Sequence, residues 1–201
     1  MTMPQPGCVV GPAWPAAGAP LGRVLFLDRD GVININHGYV HTPDGTEWVP
    51  GIFELCRAAQ ARGYALVVVT NQAGIARGYY SEQQFAEYTA WMHARFAAEG
   101  VQIAATWYCP HHPQAGQGAY RVECGCRKPA PGMLHAMDQA HAVDWPRSVL
   151  VGDKRSDVQA GQAAGVGRCF LLGNDTGEGE LEEGSFQACM SLSQVQALLP
   201  N

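Results

Sequence analysis

Val24-Leu25-Phe26-Leu27-Asp28-Arg29-Asp30-Gly31-Val32-Ile33-Asn34 runs four consecutive apolar residues straight into two carboxylates one position apart, then a glycine. An apolar run closed by a turn signal reads as a buried strand of an α/β sheet. In open α/β sheets the ligand crevice lies beyond the carboxyl ends of the strands, which is where Asp28 and Asp30 are expected to emerge. Gly31 lets the backbone turn with positive φ, so both carboxylates can face one small volume. Two carboxylates in one crevice repel, and each resists ionisation unless a cation or a proton compensates. A divalent metal on one and a proton on the other would place a nucleophile beside a general acid. A helix N-cap or simple turn can carry the same Asp-x-Asp-Gly pattern, so other strand ends have to break the tie.

A chain of 201 residues has room for one domain with a substantial core. Its composition, 47% hydrophobic and 15% charged, is that of an ordinary globular protein. A net charge of −5 gives no basic footprint, which disfavours nucleic acid as a partner. No apolar run approaches the roughly 20 residues that span a bilayer. Residues 1–22 hold Pro, Gly and Ala with no charge, and Pro12, Pro15 and Pro20 interrupt any signal-peptide core. The expectation is a disordered leader over 1–22 and a single domain over 23–201. Seven unevenly spread cysteines argue against a disulfide framework and for a cytoplasmic enzyme.

Beyond the first strand, His37-Gly38-Tyr39-Val40-His41 opens a polar, aromatic loop that would overhang the crevice. Ile52, Leu55, Cys56 and Ala59 recur at helical spacing, and Gly63 sits where that helix would end. Ala65–Val69 reads as a second buried strand, delivering Thr70-Asn71-Gln72-Ala73-Gly74 to the same sheet edge. A hydroxyl and backbone N–H groups there suit a phosphate oxygen. Ser81 with Gln84 forms a capping box, opening a helix whose Phe85, Tyr88, Met92 and Phe96 face the core.

After a third strand at Ile103–Tyr108, Cys109-Pro110-His111-His112-Pro113 is followed by Cys124-Gly125-Cys126-Arg127-Lys128-Pro129. Cys-x-His and Cys-x-Cys pairs make a Cys3His set, a closed tetrahedral zinc site with no open position for catalysis. His111 and His112 both remain candidates for the fourth ligand, with the Cys-x-His spacing in favour of His111. Arg127 and Lys128 directly follow Cys126, so zinc would fix where two cations point. Pro131 suits a helix start, with Met133, Leu134 and Met137 on its buried face. Ser148–Gly152 reads as a fourth strand, bringing Asp153-Lys154-Arg155-Ser156-Asp157 to the shared edge, where a magnesium ion needs oxygen ligands. A fifth strand over Gly167–Leu172, an acidic loop over 175–183 and a short helix near 193–199 complete the chain.

Asp28-x-Asp30-Gly31, Thr70-Asn71, Lys128 and Gly152-Asp153-x-x-x-Asp157 together resemble the four motifs of the haloacid dehalogenase superfamily of phosphohydrolases. Within it, the longer stretches around His37, Thr70, Cys109 and Cys124 are similar to the D-glycero-D-manno-heptose-1,7-bisphosphate 7-phosphatase family, over about residues 23–172. The resemblance implies an α/β, Rossmann-like three-layer sandwich with a mainly parallel sheet, no large cap domain and a zinc-stabilised loop over 109–128. It implies Asp28 as nucleophile and Asp30 as general acid/base, with Thr70 and Lys128 on the phosphoryl oxygens. Mg2+ would sit on Asp28, the Asp30 carbonyl and Asp153; Zn2+ would sit on Cys109, His111, Cys124 and Cys126. Asn71, Arg127, Lys154, His37 and Tyr39 would bind the substrate. The implied partner is a small sugar phosphate, on the way to nucleotide-activated heptose for lipopolysaccharide core or other glycans; oligomeric state is left open by the sequence, with a monomer as the default expectation. Histidinol-phosphate phosphatase is the nearest rival, a phosphotransferase a further one, and a catalytically silent sugar-phosphate binding module a more distant one. A dehydrogenase is excluded, because carboxylates and not Gly-x-Gly-x-x-Gly follow the first strand.

Overall fold

The computed structural model describes residues 4–138, 141–173, 175 and 184–201. In chain order its strands are β1 (Gly7–Val10), β2 (Val24–Leu27), β3 (Ala65–Asn71), β4 (Ile103–Cys109), β5 (Val149–Gly152), β6 (Arg168–Leu172) and β7 (Gln187–Cys189). The α-helices are α1 (Ile52–Ala61), α2 (Ala73–Ala76), α3 (Glu82–Ala98), α4 (Gly132–Asp138), α5 (Arg155–Ala164) and α6 (Leu192–Leu198). The strands form one sheet in the order β1-β4-β3-β2-β5-β6-β7, parallel throughout except for β1, which pairs antiparallel with β4.

Period-two alternation divides the central strands between two apolar layers. Leu25, Leu27, Leu66, Val68, Val149 and Val151 pack with α1, with Met92 and Phe96 of α3, and with α6. Val24, Phe26, Val67, Val69 and Leu150 pack on the other side with Leu134 and Met137 of α4 and Val158 of α5. Both faces of each central strand are therefore covered, which is why these strands read as unbroken apolar runs. Helix α3 opens with the expected capping box: Ser81 Oγ accepts from Gln84 N at 3.1 Å, and Gln84 Oε1 accepts from Ser81 N at 2.8 Å. Gly63 ends the α1 turn with φ +81°.

One expectation needs correction. Residues 4–22 are a structured segment, not a disordered leader. Gly7–Val10 is an edge strand, Trp14 meets His141 edge-to-face at 4.6 Å, and Leu21 N donates to Ala142 O at 3.0 Å. Prolines and glycines on either side hid a strand of only four residues. The sequence reading also left out β7, a short parallel strand that follows an acidic stretch and carried no apolar run to announce it. Of the acidic segment, residues 176–183 lie outside the described residues. No helix among the described residues is long and apolar enough to cross a membrane.

Candidate active site

The parallel sheet brings the carboxyl ends of β2, β3 and β5 side by side, and the predicted chemistry arrives there. Asp28 leaves β2 buried, with its N–H bonded to Val151 O of β5 at 2.9 Å. Gly31 adopts φ +98°, and a Cβ on it would lie 2.2 Å from Asp153 Oδ2. Only glycine lets the turn after Asp30 press so closely on the carboxylate arriving from β5.

Lys128 sits at the centre. Its buried ammonium donates to Asp28 Oδ1 at 2.7 Å and to Val69 O at 2.7 Å, and it pairs with Asp157 Oδ1 at 2.7 Å. Burial alone would pull this lysine down, but Asp157 and Asp28 outweigh it and hold the ammonium above the usual lysine range. Asn71 fixes the Lys128 backbone: its Nδ2 donates to Lys128 O at 3.0 Å and its Oδ1 accepts from Lys128 N at 3.1 Å.

Three carboxylates, Asp28, Asp153 and Asp157, place an oxygen each within 4.8 Å of one another. One ammonium cannot balance them. Burial pushes the Asp28 carboxyl up against the pull of Lys128, and Asp157 adds repulsion. Burial, followed by the nearby Asp28, pushes Asp153 up to about 7. Asp153 Oδ1 is buried without a hydrogen-bond partner among the described residues, an arrangement that is costly unless something positive meets it. Oxygen donors with excess negative charge fit a hard divalent cation.

Asp30 is held apart from this cluster. Its carboxylate accepts from Arg29 Nη2 at 2.7 and 2.9 Å, from Asn34 Nδ2 at 3.0 Å and from Gln72 Nε2 at 3.3 Å. Gln72 Nε2 also donates to the buried Thr70 hydroxyl at 2.9 Å, and the Tyr80 hydroxyl donates to Gln72 Oε1 at 2.6 Å. Asp30 and Lys128 line a cleft of about 430 Å³ together with Tyr39, Asn71, Gln72, Arg127, Lys154 and Ser156, among others.

The four residues expected to hold zinc also converge. Sγ atoms of Cys109, Cys124 and Cys126 lie 3.3–3.5 Å apart, and His111 Nδ1 is 3.5 Å from Cys126 Sγ and 3.7 Å from Cys109 Sγ. A tetrahedron with metal–sulfur bonds of about 2.3 Å has edges of roughly 3.8 Å, so the set is close to its holding size. The S–H of Cys126 draws the Cys109 thiol down to about 6. His112 is not part of this group, and its Nδ1 accepts from Gln114 N at 3.2 Å and Ala115 N at 3.0 Å. The loop is tied down twice more. Arg127 Nη1 donates to His111 O at 3.2 Å, and Glu82 of α3 accepts from the Tyr120 and Tyr108 hydroxyls, each at 2.7 Å.

Among the residues read from sequence, His37 stands outside this assembly. It is exposed, does not line the cleft, and lies 3.0 Å from Glu47 Oε2. Asn71 lines the cleft, yet both ends of its carboxamide are engaged by Lys128. Three participants were missed. Asp157 stood within a quoted motif at the right spacing but without an assigned place in the site; Gln72 lay between Asn71 and Gly74; Arg29 carried no signal, since a charge in a turn normally faces water.

Comparison with known proteins agrees with this geometry. The HAD-hydrolase-like family model matches residues 125–198. The D-glycero-beta-D-manno-heptose-1,7-bisphosphate 7-phosphatase of Vibrio cholerae is 46% identical over 172 residues, 86% of this chain and 91% of that protein. The D-glycero-alpha-D-manno-heptose-1,7-bisphosphate 7-phosphatase of Burkholderia mallei is 53% identical over 150 residues, covering 75% and 79% of the two chains. The crystal structure of D,D-heptose 1,7-bisphosphate phosphatase from B. bronchiseptica, complexed with magnesium and phosphate, superposes with a TM-score of 0.75 at 32% identity, covering 88% of this chain and 97% of that one. A buried lysine ringed by carboxylates at the edge of a parallel sheet, in a chain this close to those proteins, leads to one conclusion: the protein belongs to the D-glycero-D-manno-heptose-1,7-bisphosphate 7-phosphatase family of HAD-like phosphatases.

Proposed function

We propose that this protein hydrolyses the 7-phosphate of D-glycero-D-manno-heptose 1,7-bisphosphate, and that residues 23–201, with the edge strand β1 added to their sheet, act as one phosphatase domain. The carrying observation is the Asp28–Lys128–Asp157 chain of 2.7 Å contacts, with Asp153 beside it and a polar cleft at its mouth. Asp28 attacks phosphorus; the bond from phosphorus to the sugar oxygen breaks, its electron pair stays on that oxygen, and Asp30 supplies the proton. Water then attacks the aspartyl-phosphate, Asp30 takes the proton back, and inorganic phosphate leaves. Lys128 and Thr70 hold the phosphoryl oxygens, while Tyr39, Arg127 and Lys154 on the cleft wall read the sugar and its distal phosphate.

Asp28, Asp153 and the Asp30 carbonyl would hold Mg2+, the ion present in the B. bronchiseptica structure. When bound, it neutralises charge on the transferring group. Cys109, His111, Cys124 and Cys126 would hold Zn2+, which would fix the loop that carries Arg127 and Lys128. Monoester hydrolysis asks for on the order of 20 kcal/mol of barrier lowering, which is why a nucleophile, an acid, a lysine and a cation converge. We place the protein in the cytoplasm, which suits free thiols: all seven cysteines are unpaired.

The relatives reported above are named for heptose bisphosphates, which favours that substrate over histidinol phosphate. The test is magnesium-dependent phosphate release from both heptose 1,7-bisphosphate anomers and from histidinol phosphate, with Asp28→Asn as control. Preference for one heptose anomer, lost in the variant, supports the proposal. Preference for histidinol phosphate, or no release from any of the three, rejects it.

A further inference from the structure

Resting on the phosphatase reading above, we propose that Arg29 is a positioning residue: it ties the acid/base Asp30 to the loop that carries Tyr39. Arg29 stands between two catalytic carboxylates, where a charged side chain would ordinarily reach for water. Instead it is 0% exposed. Its guanidinium folds back on its neighbour, with Nη2 at 2.7 Å from Asp30 Oδ2 and Nε at 3.2 Å from Oδ1. The same Nη2 donates to Val40 O at 2.7 Å. One nitrogen therefore bridges the acid and the loop backbone, and a planar guanidinium cannot follow one of them without moving relative to the other.

The surroundings single out this bridge. The guanidinium lies 5.6 Å from the Phe85 ring centroid and 5.4 Å from that of Tyr88, both on α3. Its Nη1 has no partner with hydrogen-bond geometry among the described residues, though the Tyr80 side chain lies beside the guanidinium. A side chain serving only to fill this space would be apolar and would avoid that cost. Next to Val40, Tyr39 adopts φ +53° without being glycine, is 42% exposed and lines the cleft. A ligand that shifts Tyr39 must shift Val40, and through Nη2 it reorients Asp30. Asn34 and Gln72 also bond Asp30, so loss of Arg29 would leave the carboxylate present but uncoupled from the loop.

The test exploits leaving-group chemistry. A sugar alkoxide needs a proton as it departs, whereas p-nitrophenolate does not, and kcat/KM reports steps through transfer to Asp28. Wild type, Arg29→Lys and Arg29→Met would be assayed with magnesium on the heptose bisphosphate and on p-nitrophenyl phosphate. The expected result is a fall of about 100-fold or more on the sugar with Arg29→Met, and about threefold or less on the aryl ester. Arg29→Lys, which keeps charge without the planar fork, should fall in between, and it carries the test should Arg29→Met fail to fold. A plot of log kcat/KM against leaving-group pKa should be steeper in the variants. Equal losses on both esters, or an unchanged slope, would reduce Arg29 to a structural part and overturn the proposal. Wild-type enzyme that cleaves the aryl ester but not the heptose bisphosphate would instead reject the substrate assignment, and glycerol phosphate would then serve as the alkyl ester that decides Arg29.

Discussion

Asn71 grips the main chain of Lys128 from both sides, donating to its carbonyl at 3.0 Å and accepting from its N–H at 3.1 Å. The lysine comes from a loop and the asparagine from the end of β3, so this reciprocal pair registers the loop against the sheet. Asn71→Ala should leave the fold intact yet misplace Lys128. The expected effect is a fall in kcat/KM of about 100-fold, with Asn71→Asp, which cannot donate to the carbonyl, also impaired. Steady-state kinetics beside a thermal melt checks this; full activity in Asn71→Ala would remove the pair from the site's support.

Asp157 shares the Lys128 ammonium with Asp28, and its other oxygen caps α5 by accepting from Lys154 N at 3.0 Å. Asp157→Asn keeps the shape and removes one negative charge. Apparent magnesium affinity, read from activity against magnesium concentration, should weaken by about 10- to 100-fold.

Cys126→Ser should abolish stoichiometric zinc, measured by elemental analysis, and lower the melting temperature. Because Arg127 and Lys128 follow immediately, phosphatase activity should drop by about tenfold or more at saturating magnesium. His112→Ala, which touches only a turn, should retain the zinc.

His93 is buried against Thr106, its ring nitrogen 2.9 Å from the hydroxyl, and burial pushes it down to about 4. Unfolded, it would titrate near 6.5. Between those values the unfolded chain holds a proton that the folded chain refuses, so this contribution is complete above pH 6.5 and is lost as pH falls toward 4. The loss amounts to about 3 kcal/mol. Urea melts at pH 7 and pH 4.5 should show His93→Gln losing less stability across the interval than wild type.

The sequence made the architecture readable where a physical signal was strong. Val24–Leu27, Leu66–Val69 and Val149–Val151 are buried on both faces and so have no polar position to interrupt them. The Cys3His cluster was legible from spacing, but the choice between His111 and His112 needed the fold, which brings His111 Nδ1 to the cysteines. Placement beyond the sheet edge was harder to read. His37 sits in a loop whose composition suits ligand reading, yet it turns to Glu47. Arg29 was invisible because burying a guanidinium is worthwhile only when an acid and a carbonyl are brought to it from elsewhere, and the Val40 carbonyl comes from eleven residues away.

Gly7–Val10 contributes little apolar burial, with an alternating half-exposed pattern, but it lies along β4. An uncovered β4 would offer a row of free amides and carbonyls to any extended chain that came near, including a second copy of itself. This antiparallel strand acts as a selvedge: it covers β4 and leaves a margin of only four residues as the new edge. Translation from an internal start after residue 22 would therefore leave the catalytic groups in place while yielding a protein prone to self-association.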